Sequence, residues 1–357
     1  MLIKGIKLFG VILALASGAI AQVPSGSVLL VISKIDHVLA VVDPVTLKVL
    51  ARVPVGLDPH EVVTSADGTT AYVSNYGTGT YNTITRVDLV ADKPLAPIDL
   101  GALRGPHGLQ FVGGELWFTA EGAKAIGRYD PSSGKIDWVM GTGQDKTHML
   151  HVREDKQFIA ATNVESGTVS ILEEFPRHKE RAMTSLPPDL QARLKQIGMP
   201  NAPPTEWRET VIPVGNGSEG FDVAPNGESM WVANAQDGSV SVINLMTKHV
   251  DATLLLNAKG LNRLKFTTDG KSVLVSTLGG PDLIILDVSS RKILKRLPIG
   301  HGAAGILMEP DGLKAFVACS PDDYVAVIDL QTLEVVGRIS AGGEPDGLAW
   351  ASNARAR

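Results

Sequence analysis

The chain has 357 residues, a formal net charge of −5 at pH 7 and 37 glycines. Its mildly acidic balance gives no electrostatic reason to expect a nucleic-acid partner, and its composition fits a turn-rich β protein better than a disordered one. Cys319 is the single cysteine, which excludes an internal disulfide, so packing has to supply the stability.

The first segment has the features of an export signal. Lys4 and Lys7 form a short basic start, Leu8–Ala16 is apolar, and Ala19-Ile20-Ala21 fits the small-residue rule of signal peptidase. We predict a cleaved signal peptide over residues 1–21 and an exported mature protein, either periplasmic or secreted; an uncleaved anchor is the alternative. No later stretch reaches the roughly 18–20 apolar residues of a membrane helix, so we expect no membrane span in the mature chain.

An internal repeat of roughly 40–47 residues follows, the length of a four-stranded propeller blade. Each copy has an opening turn, a short apolar strand, a tight turn often of the Asp-Gly or Asn-Gly type, and three further strands. Such pairs suit tight hairpins because glycine and asparagine tolerate positive φ. The opening turns are Pro59-His60-Glu61, Pro106-His107-Gly108, Thr147-His148-Met149, Ser218-Glu219-Gly220, Leu261-Asn262-Arg263 and Ala303-Ala304-Gly305.

The two chain ends predict a closed ring. The mature N-terminus supplies only three strands, Val28–Ser33, Val38–Asp43 and Val49–Val55, while Pro345–Trp350 matches the opening strand of the repeat. Pairing the two ends would complete one blade and remove an exposed edge. We therefore predict an all-β, seven-bladed β-propeller over residues 22–357; a β-sandwich array or a solenoid is the alternative.

Two strand sequences carry a family resemblance. Tyr72-Val73-Ser74-Asn75 and Trp231-Val232-Ala233-Asn234 resemble the signature of YVTN-repeat (YncE-like) propellers. Seven-bladed lactonases are built from similar repeats. The resemblance implies the fold over almost the whole mature chain, but it does not imply one activity, because such propellers host several.

An insertion interrupts the fourth blade between residues 173 and 209. This segment is rich in proline and charged residues, and Pro187-Pro188-Asp189 is a candidate helix start. By its connectivity, the insertion should leave the face opposite the opening turns. It is interpreted either as a partner or lid surface or as an extended surface loop.

The opening turns should meet around the central channel on one face. We expect a ligand-binding site there, formed by aligned or adjacent residues and by residues after the second strand of several blades. These candidates are His60, His107, His148, Glu219, Asn262, Arg263, Asp346, Asn75, Asn163, Asn234 and Glu121. Three histidines with Glu121 could hold a divalent metal such as Zn²⁺ or Mn²⁺, although no cofactor is certain. Metal-free ligand contacts and structural turn chemistry are the alternatives.

The third blade carries a narrower resemblance. Gly105-Pro106-His107-Gly108-Leu109 followed by Leu116-Trp117-Phe118-Thr119-Ala120-Glu121 is similar to a repeat of the streptogramin (virginiamycin B) lyases. The resemblance implies that His107 and Glu121 belong to a Mg²⁺-assisted site, but Ala123 stands where that family has a further histidine.

Two functions that use the channel face remain open on this basis, beside a structural cell-envelope protein with no small-molecule site. The first is an exported propeller that acts as a scaffold for a small ligand or an envelope protein. The second is a lactonase-like or lyase-like enzyme with His107, His148 and Glu121 as its catalytic residues.

Overall fold

The computed structural model describes residues 26–177, 186–197, 204–352 and 354–355. The predicted signal peptide, residues 1–21, lies outside the described residues. The described part contains 28 β-strands and one α-helix. None of the helices among the described residues has the length and apolar character that a membrane span requires.

The strands form seven antiparallel four-stranded sheets, which confirms the predicted seven-bladed propeller. Grouped by blade, they are β28 (Pro345–Ala351), β1 (Val28–Ser33), β2 (Val38–Val42) and β3 (Val49–Pro54); β4 (Pro59–Thr64), β5 (Thr70–Asn75), β6 (Thr83–Asp88) and β7 (Lys93–Asp99); β8 (Pro106–Val112), β9 (Glu115–Ala120), β10 (Ala125–Asp130) and β11 (Lys135–Gly141); β12 (Thr147–Val152), β13 (Phe158–Asn163), β14 (Thr168–Pro176) and β15 (Thr205–Pro213); β16 (Ser218–Val223), β17 (Ser229–Asn234), β18 (Ser239–Asn244) and β19 (His249–Leu255); β20 (Leu261–Phe266), β21 (Ser272–Thr277), β22 (Asp282–Asp287) and β23 (Ile293–Pro298); β24 (Ala303–Met308), β25 (Lys314–Cys319), β26 (Tyr324–Asp329) and β27 (Glu334–Ile339).

The first blade closes the ring, as the chain ends predict. Strand β28 pairs with β1 in antiparallel register, with Leu29 opposite Trp350 and Leu30 opposite Ala349. The C-terminal strand is thereby the innermost strand of a sheet whose other three strands come from the N-terminal part. Closure leaves no blade with an unfilled inner position, which removes the edge that an open ring would expose.

The hydrophobic core lies between neighbouring blades. Leu30 and Ile32 of the first blade pack with Val62 and Val73 of the second, and all four side chains are buried. Both faces of an inner strand such as β1 are covered, so its six residues are all buried, whereas the outer strand β3 has exposed and half-buried positions. This explains why inner strands read as continuous apolar runs and outer strands are mixed.

The fourth blade carries a longer hairpin than the others. Strands β14 and β15 have nine residues each and pair out to Pro176 opposite Thr205, where the third strand of most blades has six residues. The described part of the insertion also contains the helix α1 (Pro188–Gln196), which begins at the predicted proline pair. This hairpin extends from the face opposite the opening turns.

A bulge follows the first residue of the innermost strands. In the second blade, Pro59 pairs with Asn75 but Val62 pairs with Val73. The chain therefore advances by three residues along β4 where it advances by two along β5. The same shift occurs in the innermost strands of blades three to seven. Bulges re-aim side chains, so the second residue of each strand is turned towards the channel mouth.

Candidate functional site at the channel mouth

The predicted ring of opening-turn residues occupies one strand position throughout. The second residue of each innermost strand is, in spatial order, Asp346, His60, His107, His148, Glu219, Asn262 and Ala304. The three histidines are direct neighbours: the ring centroids of His60 and His107 are 5.0 Å apart, and those of His107 and His148 are 3.8 Å apart. The structure thus brings the three histidines of consecutive blades into one cluster.

The third and fourth blades approach closely at this point, as other neighbouring blades do at the equivalent glycine. A Cβ atom at position 108 would lie 2.6 Å from the carbonyl oxygen of His148, so only glycine fits there. The hydroxyl of Thr119 accepts a hydrogen bond from the N–H of Gly108 at 2.9 Å and donates one to the carbonyl of His148 at 2.6 Å. These contacts fix the spacing between His107 and His148.

Glu121 and Tyr76 enter the cluster from equivalent positions. Each is the first residue after the second strand of its blade, and Glu121 begins a short 3₁₀ turn that ends at Ala123. The hydroxyl of Tyr76 donates a hydrogen bond to Oε2 of Glu121 at 2.6 Å. The pKa of Tyr76 lies well above its usual value, mainly because the phenol is buried and secondly because of this contact, so the phenol stays protonated. Sequence reasoning missed Tyr76.

His148 lies between two carboxylates. Its Nδ1 contacts Oε1 of Glu121, and its Nε2 lies 2.8 Å from Oε2 of Glu219 in an ion-pair contact without hydrogen-bond alignment. Burial alone would lower the pKa of His148, but Glu219 and Glu121 outweigh it and raise the pKa to about 9. Burial likewise would raise the pKa of Glu219, but His148 lowers it to about 2. Both groups are therefore charged at neutral pH.

His107 has the opposite electrostatic character. It is only 2% exposed, and burial, reinforced by the charge of His148, lowers the pKa of His107 well below its usual range. Its Nδ1 is enclosed and has no hydrogen-bond partner among the described residues. A buried polar atom without a partner is costly, so this neutral imidazole is suited to a ligand that completes the site.

Three residues of the cluster have the composition of a metal site. One ligand atom each from His107, Glu121 and His148 lies within 4.8 Å of the others, and all three residues are buried. Two imidazole nitrogens and one carboxylate oxygen are a common ligand set for Zn²⁺. The unpartnered Nδ1 of His107 fits this role. His60, the fourth predicted metal ligand, is not part of this group.

The other side of the mouth is a network of contacts between basic side chains and carboxylates. His60 lies 3.1 Å from Asp58 through Nε2 and 3.5 Å from Asp346 through Nδ1, and Lys34 lies 3.6 Å from Asp346. The pKa of Asp58 falls to about 2, mainly because this carboxylate contacts His60. These residues have partners within the protein and lie beside the cluster of His107, Glu121 and His148.

Three asparagines that were predicted to bind a ligand make hydrogen bonds inside the blades. Their amide groups donate to hydroxyl groups on the neighbouring strand: Asn75 to Thr83 and Thr85, Asn163 to Thr168 and Ser170, and Asn234 to Ser239 and Ser241. Each is the last residue of a second strand. Asn262 lies in the ring itself, and its amide makes no hydrogen bond with the described residues.

The fold and this mouth define the chain as a seven-bladed β-propeller with a buried polar cluster on its axis. No protein-family model matches the sequence, and no curated protein matches it. Solved structures, in contrast, match the fold of this chain. A functionally unknown protein from Desulfotomaculum acetoxidans has a TM-score of 0.67 and 13% identity over 89% of this chain and 98% of that chain.

Two further structures share the fold at low identity. Kuenenia stuttgartiensis hydrazine synthase has a TM-score of 0.67 and 19% identity over 86% of this chain and 94% of that chain. The dihydro-heme d1 dehydrogenase NirN in complex with DHE has a TM-score of 0.60 and 14% identity over 93% of this chain and 76% of that chain. At these identities the likeness shows the fold alone.

Proposed function

We propose that the chain is a ligand-binding propeller whose channel mouth holds a divalent metal ion on His107, Glu121 and His148. The proposal rests on one observation: three buried residues each bring a ligand atom within 4.8 Å of the others, and one of these residues, His107, has an unpartnered Nδ1. Three protein ligands leave a coordination position open for a small molecule, as in catalytic zinc sites. A bound ion would act there as a Lewis acid.

The neighbours of the three ligands support the same proposal. Glu219 approaches the Nε2 side of His148, and Tyr76 holds the second oxygen of Glu121. Carboxylate and hydroxyl groups behind metal ligands fix the orientation of those ligands and raise their basicity. The ligand set also predicts the class of metal: two imidazoles favour Zn²⁺ or a similar transition metal, whereas Mg²⁺ prefers oxygen ligands.

Calorimetric titration of the EDTA-treated protein with Zn²⁺ tests the proposal. We expect one ion per chain, and we expect the double variant His107→Ala, His148→Ala to lose this binding. His301→Asn is the matched control, because His301 is exposed and pairs with Asp322 outside the cluster. Absence of stoichiometric binding, or binding that survives the double variant, would overturn the proposal.

A metal-assisted lyase or lactone hydrolase is the second candidate function. The observation that favours it is the continuous contact from Tyr76 through Glu121 and His148 to Glu219, a set of groups that can donate and accept protons. The departure from the streptogramin lyases at Ala123 removes one base that those enzymes use. A lactone panel assayed with and without Zn²⁺ tests this candidate, and no turnover under either condition would exclude it.

Export and partner binding complete the proposal. Cleavage after Ala21 would place the propeller outside the cytoplasm, and N-terminal sequencing of the secreted or periplasmic chain tests it. The long hairpin of β14 and β15 is a candidate partner surface on the opposite face. Comparing the proteins captured with and without residues 173–209, which include the outer part of this hairpin, tests that surface, and identical sets would count against it.

A further inference from the structure

The central channel below the mouth is a cavity in its own right. It has a volume of about 280 Å³ and is lined by residues of all seven innermost strands. Its wall is mainly apolar, with Leu109, Phe221 and Ile306 among the lining residues. Its polar side chains are Glu61, Gln110, His151, Asp222, Arg263 and Lys265. The volume is close to the lower limit of small-molecule pockets.

Most of these polar groups are already paired within the protein. The amide of Gln110 bonds the backbone N–H and carbonyl of Val152 through its two ends. Lys265 lies 3.3 Å from Asp222, and that carboxylate also accepts the backbone N–H of Phe266 at 2.9 Å. These residues hold neighbouring blades together and offer a ligand little.

Arg263 is the exception. It is 8% exposed, and one arm of its guanidinium, Nη2, donates to Glu61 across the channel. The other arm, Nη1, is enclosed and has no hydrogen-bond partner among the described residues. An arginine keeps its charge when buried, so an unpaired N–H on it is costly. The wall of the channel therefore contains a donor that lacks an acceptor.

His151 is the second group without a partner. His151 is one of the residues that line the cavity, and its ring makes no hydrogen bond with the described residues. Burial lowers the pKa of His151, which leaves the imidazole neutral at physiological pH. A neutral imidazole has one donor and one acceptor, so it offers a ligand a second contact.

We propose that the channel is a second binding site, for a small neutral molecule whose oxygen accepts a hydrogen bond from Arg263, which lines the cavity. The charges of the wall select this class, because the acidic Glu61 and Asp222 balance the basic Arg263 and Lys265. An anion would compete with Glu61 and with the nearby charges of Asp346 and Glu219, which already act on Arg263. A cation would find both carboxylates of the cavity paired.

A primary amide or an alcohol with an apolar body has the required chemistry. Its oxygen accepts from Arg263, its own N–H or O–H can bond His151, and its body contacts the apolar wall. This site is independent of the metal at the mouth, because none of the three metal ligands lines the cavity. The test therefore uses metal-free protein, and failure of the metal proposal would leave it intact.

Fluorine NMR with 4-fluorobenzamide and 4-fluorobenzoate tests the proposal, because the two probes match in shape and differ in charge. The EDTA-treated protein should broaden the amide signal and bind the benzoate at least about tenfold more weakly. Arg263→Lys keeps a positive charge for Glu61 but removes the forked donor, and should weaken amide binding about tenfold. Ile306→Phe, which fills the cavity, should abolish it.

Arg291→Lys is the control, because Arg291 lies on an exposed turn of the sixth blade. It should bind the amide as the unaltered protein does. Equal or tighter binding of benzoate, amide binding that survives Ile306→Phe, or no amide binding at millimolar concentration would each overturn the proposal. If circular dichroism shows that Arg263→Lys does not fold, Ile306→Phe alone decides the result.

Discussion

Thr119→Val should separate the two histidines of the cluster without changing the shape of the side chain. The hydroxyl of Thr119 bonds both the N–H of Gly108 and the carbonyl of His148, and all of these groups are buried. Valine leaves the N–H and the carbonyl without a partner, and each such group costs about 1–3 kcal/mol. We therefore expect the free energy of unfolding to fall by about 2–6 kcal/mol.

The same substitution should also weaken Zn²⁺ binding by about tenfold or more, because His148 loses a contact that orients it. Urea unfolding measures the first effect and calorimetric titration the second. Thr119→Ser is the matched control: it keeps the hydroxyl, so it should lose only about 1 kcal/mol and should bind Zn²⁺ normally. Equal stability and equal Zn²⁺ affinity of the valine and serine variants would refute the role given to this hydroxyl.

Three further predictions concern charge, spacing and closure. In the metal-free state, the unaltered protein should be more stable than Glu219→Gln, and the difference should be largest between pH 4.5 and 6.5. The difference should fall as the pH rises towards about 9, where His148 loses its proton. It should also fall as the pH drops towards about 2, where Glu219 gains a proton. Thermal unfolding across this range checks it, and a difference independent of pH would contradict the pairing. Gly108→Ala should lower the free energy of unfolding by about 1–3 kcal/mol because its Cβ has no room, whereas Gly141→Ala, with its nearest atom 3.9 Å away, should cost little. Removal of Pro345–Ala351 should abolish cooperative unfolding, because β1 loses its partner strand; circular dichroism should show this, and a sharp transition would argue against closure by β28.

The repeat made the fold and the ring of opening turns predictable. Spacing alone aligned His60, His107 and His148, because equivalent turns of a propeller meet on its axis. The same alignment predicted Pro345–Trp350 as the missing strand of the first blade, and the register of β28 against β1 confirms it. Long-range pairing could be predicted here because every blade repeats one pattern.

The details of the cluster could not be predicted in the same way. Sequence reasoning aligned Asn75 with Glu121, but the end of β9 lies one residue earlier, at Ala120, and Tyr76 is the true equivalent of Glu121. Since successive strand residues point to opposite sides, an error of one position exchanges a side chain inside the blade for one at the mouth. The paired Glu61 and Arg263 were beyond prediction because their contact spans blades that are distant in sequence.

The central claim is that the mouth is a metal site formed by His107 of β8, Glu121 of the turn after β9 and His148 of β12. Diffraction from crystals soaked in Zn²⁺, recorded at the zinc absorption edge, tests this most directly. We predict one strong anomalous peak at about 2.0–2.2 Å from a nitrogen of His107, a nitrogen of His148 and an oxygen of Glu121. A map without a peak at the mouth, or with zinc bound only at exposed histidines such as His301, would contradict the claim.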